Sequence, residues 1–274
     1  MINLVKYFNY NEYVACEFIK KNKASNLEII DRNNNSYIKA FDYIHNKMDF
    51  FPIPNDPNNY REGIILPNST AMNLRRSSLL HLIVEEQSLD SYLYLTESIS
   101  ENYRYFKTYF NKIIGSEYID ENLKGRKIID RIMHQDMENL SFKDNEFDII
   151  VSSDVLEHVP DYKKGLQEVY RCLKIGGVSY MTFPFALNYK KNLIRAYKDK
   201  SGKIIHLLTP EYHGDTLRSG SHYKQEGSLS YRLFGWELVD EAKKIGFSDV
   251  IVYHIYDPKF CYIAEDILIF KFIK

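Results

Sequence analysis

The stretch FDIIVSSDVLEHVPDYKKGLQEVYRCLKIGG, Phe147–Gly177, decides the fold. It opens with the apolar run Phe147–Ser153, which suits a strand buried on both faces, the habit of parallel sheets. It continues with Leu166, Val169, Tyr170 and Leu173 at i, i+3, i+4 and i+7, one apolar stripe of a helix. Gly176 and Gly177 are expected to stop that helix. Between strand and helix lies DVLEHVPDY, residues 154–162. Ligands of open α/β sheets bind beyond the carboxyl ends of the strands, so Asp154, Glu157 and His158 are expected at a ligand-bearing edge.

The same alternation extends in both directions. SYLYLT (91–96), KIIGSEY (112–118), KIIDRIMHQD (127–136) and VSYMTFPF (178–185) read as further strands, the third with a possible helical passage. SENYRYFKTYF (100–110) and GWELVDEAKKIG (235–246) read as helices, the second ending at Gly246. SDVIVYHIYD (248–257) and DILIFKFIK (266–274) follow without an intervening helix and are expected to pair antiparallel. The fold class is α/β: a Rossmann-like, mostly parallel seven-stranded sheet with the last strand antiparallel, preceded by an N-terminal extension. PIPNDPNNYREGIILPNST (52–70) holds four of the eight prolines and reads as a connector. MNLRRSSLLHLIVEE (72–86) reads as a helix with Leu79, Leu80, Ile83 and Val84 on one face. The extension is drawn as 1–88, with no fold assigned, and the main domain as 89–274.

Composition narrows the partners. Hydrophobic residues are 45% and charged residues 27% of the 274, enough for a sizeable core. Thirty-six basic against thirty-seven acidic side chains leave a formal charge of -1, no general field for nucleic acid or an anionic membrane. Cys16, Cys172 and Cys261 are scattered without a CxxC pair, so their spacing predicts neither disulfide nor metal site, and reduced buried thiols are expected. The N-terminus has no continuous apolar stretch of the signal type, and no run approaches the roughly 20 apolar residues of a spanning helix. A cytoplasmic location is expected, with no membrane and no nucleic-acid partner.

Successive strands end in acids. Glu97 closes YLYLTE, Glu117 closes IIGSE, Asp136 closes MHQD and Asp154 follows FDIIVSS. An acid about 20 residues past the first strand suits acceptance of hydrogen bonds from ribose hydroxyls. These residues resemble the class I S-adenosylmethionine-dependent methyltransferases over roughly residues 90 to 274. The most specific part is HQDMENLSFKDNEFDIIVSSDVLEHVPDYKKGLQEVYRCLKIGGVSYMTFPF, residues 134–185. The resemblance implies S-adenosyl-L-methionine as cofactor. It implies Asp136 and Met137 against the adenine, Glu117 with neighbouring Tyr118 at the ribose, and Asp154 with Val155 beneath the methionine part. The family's first strand runs into an acid and then a glycine-rich loop. Here YLTESISENYRYF has Glu97 but no glycine before Gly115, so either the cofactor sits slightly differently, with Ser98 and Ser100 lending hydroxyls, or this site no longer binds it.

Methyl transfer from a sulfonium is an in-line displacement, and a hydroxyl acceptor needs a base near neutrality. His158 is the first candidate and His213, in LLTPEYHGDTLRSGS (207–221), the second. Tyr212, Arg218, His222 and Tyr223 in the same insertion suit a small-molecule or saccharide acceptor and O-methylation. Trp236 is expected in the core. Two other classes share this pattern: a non-catalytic relative keeping the fold as a scaffold, and a nicotinamide oxidoreductase. The second is disfavoured because no GxGxxG brings amides to a pyrophosphate.

Overall fold

The computed structural model describes residues 1–16, 36–119, 123, 127–129, 131–213 and 227–274. The chain forms two compact units. One comprises Met1–Ser91, Glu101–Lys112 and Ile251–Lys271; the other comprises Tyr92–Ser100, Ile113–Val250 and Phe272–Lys274.

Seven strands make the main sheet: β1 (Leu4–Tyr7), β16 (Asp249–Ile255), β17 (Leu268–Ile273), β9 (Leu173–Thr182), β8 (Phe147–Ser153), β4 (Leu93–Leu95) and β5 (Ile113–Gly115), in that order. β4 pairs parallel with β5 and β8, and β8 pairs parallel with β9. Leu93, Leu95, Ile149, Ile150 and Val151 are all fully buried, as a strand covered on both faces requires. β17 runs antiparallel to β16, as the sequence implies: the Ser248 amide meets the Ile273 carbonyl at 2.8 Å and the Ile255 amide meets the Ile267 carbonyl at 3.0 Å.

One strand of the seven was not expected. β1 pairs antiparallel with β16, from Leu4 opposite Ile255 to Tyr7 opposite Val252. The stretch 127–136, expected as a sheet strand, instead folds on itself as β6 (Lys127–Ile129) and β7 (Ile132–His134), paired antiparallel. Arg131 between them has φ 70, the left-handed backbone that a tight hairpin needs. A single parallel bridge joins Glu117 to His134.

In the first unit, β2 (Tyr37–Asp42) and β3 (Lys47–Pro52) form a hairpin, accompanied by short helices α1 (Tyr10–Ala15) and α2 (Tyr60–Gly63). Helix α3 (Leu74–Glu86) is capped by the Asn73 side chain, which accepts from the Arg76 amide at 3.0 Å. It buries Leu79, Leu80 and Ile83 completely. Its buried His81 stacks on Tyr43 with ring centroids 3.4 Å apart. At its end, Glu86 accepts from the Tyr253 hydroxyl and from Lys271 Nζ, both at 2.7 Å. Helix α4 (Glu101–Tyr109) begins with a carboxylate that accepts from the Ala71 amide at 2.6 Å and the Ser69 hydroxyl at 2.8 Å.

In the second unit, helix α5 (Tyr162–Cys172) starts on Asp161, which accepts from the Lys164 amide, and buries Leu166, Val169 and Cys172. The expected stop at Gly176 and Gly177 is corrected: Leu173 already turns extended and enters β9, so both glycines lie inside that strand. Gly177 is there because a Cβ would come within 2.9 Å of the Lys174 carbonyl oxygen. Helix α6 (Glu237–Ile245) ends as expected on Gly246, whose φ is 132. The Tyr162 hydroxyl of α5 donates to Glu241 of α6. Trp236 is 4% exposed and donates its indole N–H to the Leu187 carbonyl at 2.7 Å, a core residue as read.

Three small ribbons complete this unit: β10 (Leu193–Ile194) with β15 (Arg232–Leu233), β11 (Ala196–Lys198) with β12 (Ile204–His206), and β13 (Tyr212–His213) with β14 (Ser228–Leu229). The three cysteines are free thiols; Cys172 and Cys261 are buried and Cys16 is half-buried.

Candidate functional site

The carboxyl ends of β4, β5 and β8 carry the first group of expected residues. Glu117 lies two residues past β5 and is only 9% exposed. Its Oε1 accepts from the Ser98 amide at 2.6 Å, the Ile99 amide at 3.0 Å and the Ser98 hydroxyl at 3.3 Å. Oε2 takes no hydrogen bond among the described residues. Burial raises the carboxyl pKa; the two amides pull it back, and the charge of Glu97 raises it further. The loop after β4, which lacks glycine, therefore turns its amides onto a carboxylate of the next strand.

Asp136 follows β7. Its Oδ1 accepts from the Glu138 amide at 2.9 Å, and its carbonyl accepts from the Asn139 amide at 2.9 Å, an Asx-type turn. The backbone ties it to Glu117, since the adjacent Gln135 amide donates to the Glu117 carbonyl at 3.0 Å. Met137 is 6% exposed and packs beside Gly165. Asp154, directly after β8, has φ 51, a left-handed backbone that costs a non-glycine residue energy and concentrates at functional sites. Thr182 at the end of β9 holds it: Asp154 donates its amide to the Thr182 carbonyl at 2.8 Å and accepts the Thr182 hydroxyl at 3.2 Å. Val155 and Glu97 are half-buried. Tyr118 is exposed, its ring 5.5 Å from that of His134.

A second group forms around the segment 156–158, one turn of 3₁₀ helix. His158 and His213, widely separated in sequence, stand with ring centroids 5.0 Å apart and nearly perpendicular. Both face Glu157, whose Oε1 is 3.6 Å from His158 Nε2 and 3.4 Å from His213 Nδ1. Glu157 is fully buried, and neither of its oxygens makes a well-formed hydrogen bond among the described residues. His158 Nδ1 donates to the Leu229 carbonyl at 2.9 Å, and His213 Nε2 pairs with Glu211 Oε1 at 3.0 Å. The contact with Glu157 is the main reason that the His213 pKa is pushed up to about 9, with Glu211 adding and burial opposing.

Sequence reasoning placed Glu157 at the edge without giving it a part, and it missed Glu211. The signal for Glu211 was its i, i+2 spacing from His213, which puts two extended residues on one face. Arg218, His222 and Tyr223 lie outside the described residues. Tyr212 is 40% exposed on β13.

A family model described as a methyltransferase domain matches residues 99–181. Over that stretch the chain is similar to a methyltransferase domain. The chain is 43% identical over 53 residues to the 2-methyl-6-phytyl-1,4-hydroquinone methyltransferase 2 of Oryza sativa subsp. japonica, covering 19% of the chain and 15% of that protein. It is 38% identical over 73 residues to a demethylmenaquinone methyltransferase of Staphylococcus saprophyticus, covering 24% of the chain and 31% of that protein. The alignments thus span less than a third of either relative. Among solved structures, an S-adenosylmethionine-dependent methyltransferase from Mesorhizobium loti aligns over 73% of the chain and 98% of its own at 15% identity, TM-score 0.45. Among the described residues, no helix is long and apolar enough to cross a membrane.

Proposed function

We propose that the protein transfers a methyl group from S-adenosylmethionine to a small polar acceptor, by O-methylation of a hydroxyl on a small molecule or saccharide. The observation that carries this reading is the half-used carboxylate of Glu117: Oε1 is committed to the loop after β4, and Oε2 is left to accept from the ribose. The residues fit the ligand in kind. Asp136 and Met137 supply an acid and an apolar surface on one turn, for the adenine end. Asp154 and Val155 stand at the end of β8, for the methionine end, and Ser98 presents a hydroxyl beside Glu117.

S-adenosylmethionine supplies an activated methyl on a sulfonium, which leaves the chain's residues to hold the acceptor in line and manage its proton. His158 and His213 are the groups for that proton. With Glu157 and Glu211 beside them, they make a polar corner that suits a hydroxylated acceptor. The named activities of the two relatives, on a hydroquinone and on demethylmenaquinone, also support a small-molecule acceptor.

Calorimetric titration with S-adenosylmethionine and S-adenosylhomocysteine, with NAD as control, tests the reading. Saturable heat with both methyl-cycle ligands and none with NAD is expected. No heat at millimolar ligand would leave a scaffold that keeps only the fold.

A further inference from the structure

The contacts of Glu157, His158 and His213 go beyond what two proton-transfer histidines need. Each histidine has one nitrogen fixed by an acceptor. His158 Nδ1 must carry its proton to bond the Leu229 carbonyl at 2.9 Å, which leaves Nε2 as a lone pair. His213 Nε2 donates to Glu211 at 3.0 Å, which leaves Nδ1. Glu211 is itself held by Arg195, at 2.8 Å through its other oxygen. This is how protein sites orient metal-ligating imidazoles, with the far nitrogen on a carbonyl or carboxylate.

The two remaining nitrogens converge on Glu157, a fully buried carboxylate with no well-formed hydrogen bond to either oxygen among the described residues. Among those residues its charge is met only by the two imidazoles, and only when they are protonated; a cation between the three takes the place of those protons. The spacing agrees. Ligands about 2.0–2.2 Å from a tetrahedral ion lie roughly 3.3–3.6 Å apart. Here the carboxylate oxygen is 3.4 Å and 3.6 Å from the two nitrogens, and all three ligand atoms fall within 4.8 Å of one another.

We propose that Glu157, His158 and His213 bind one divalent ion of the zinc class through a carboxylate oxygen and two imidazole nitrogens. Two imidazoles with a single carboxylate suit zinc or a neighbouring transition ion over magnesium or calcium, which prefer all-oxygen sets. Three protein ligands leave the fourth position open, the pattern of catalytic zinc. On the methyl-transfer reading, that position takes the acceptor hydroxyl, and the two histidines act on its proton through the ion and not as bases: the ion lowers the hydroxyl pKa so that the proton is lost to solvent before attack.

The test uses the full chain, stripped with a chelator and titrated with Zn²⁺ against a chromogenic indicator. One equivalent per chain is expected, and the Co²⁺ form is expected to show the strong visible bands of a four-coordinate site. Glu157→Gln and His213→Ala should weaken uptake by about 10²-fold or more, and Glu211→Gln by about 10- to 100-fold. Melting curves of the stripped variants report whether each is folded; His213, on a short ribbon, is the variant least able to disturb the core. No uptake by the wild type, or uptake unchanged in both folded variants Glu157→Gln and His213→Ala, overturns the site. Zinc uptake by a chain that gives no heat with S-adenosylmethionine would retain the site and discard the methyl-transfer reading.

Discussion

The Ser98 amide and the Glu117 carboxylate are joined by a 2.6 Å hydrogen bond across 19 residues of chain, linking the loop after β4 to the end of β5. The glycine-free loop after β4 is thus fixed by a neighbouring strand's acid. Loop shape depends on one side chain, and on the proposed reading ligand capture does too.

Glu117→Ala is therefore expected to weaken S-adenosylmethionine binding about tenfold to a hundredfold, since a hydrogen bond to a charged group contributes about 1.5 to 3 kcal/mol. Glu117→Gln should lose less, because its amide oxygen still accepts. Calorimetry on both variants checks the order; equal losses would mean that the charge, and not acceptance by Oε2, matters.

His158→Ala is expected to lower turnover by about 10²-fold or more with cofactor affinity nearly unchanged. Steady-state rates with a responsive acceptor, beside a cofactor titration, measure the two effects separately. Wild-type turnover would remove His158 from the reaction.

Parts of this arrangement are legible in the sequence and parts are not. Phe147–Ser153 and the stripe of α5 were readable because burial imposes its period locally, and the acids at the strand ends followed from their positions. β1 was not readable: four residues, LVKY, carry almost no periodic signal, and their partner Val252–Ile255 lies near the other end of the chain. The β6–β7 hairpin was missed because two short apolar triplets read the same whether they join a sheet or pair with each other. The meeting of His158 with His213 depends on a β13–β14 ribbon whose strands have two residues each, too short to announce themselves.

Stability should fall with pH in the window set by His81. Burial, partly offset by Glu85 and reinforced by the N-terminal amine and Lys259, depresses its pKa to about 4 from an ordinary 6.5. The unfolded chain therefore takes up the proton first as pH drops below about 6.5, and stability is lost until about pH 4, by up to about 3 kcal/mol. Above that window this residue contributes no slope. Urea midpoints at pH 7.5 and pH 5 for wild type and His81→Phe test it, and an identical shift in both proteins rules His81 out.

A cut at residue 88 is expected to yield an insoluble or molten product. It removes β1 from the edge of β16, and it takes Glu86 away from Tyr253 and Lys271. Near-ultraviolet circular dichroism of residues 89–274 decides; a native-like spectrum with a cooperative melt would make the N-terminal part dispensable.

Arg232 has a consequence for redesign. Its guanidinium is 3% exposed, lies 4.6 Å over the Tyr162 ring, and forks onto the Val159 and Pro160 carbonyls at 2.5 and 2.6 Å. It thereby clasps β15 to the turn that carries Glu157 and His158. A lysine has no planar fork and cannot span two carbonyls in this way. Anyone grafting a foreign segment here must carry the arginine across with it, or the transplant will arrive unmoored from the turn it has to meet.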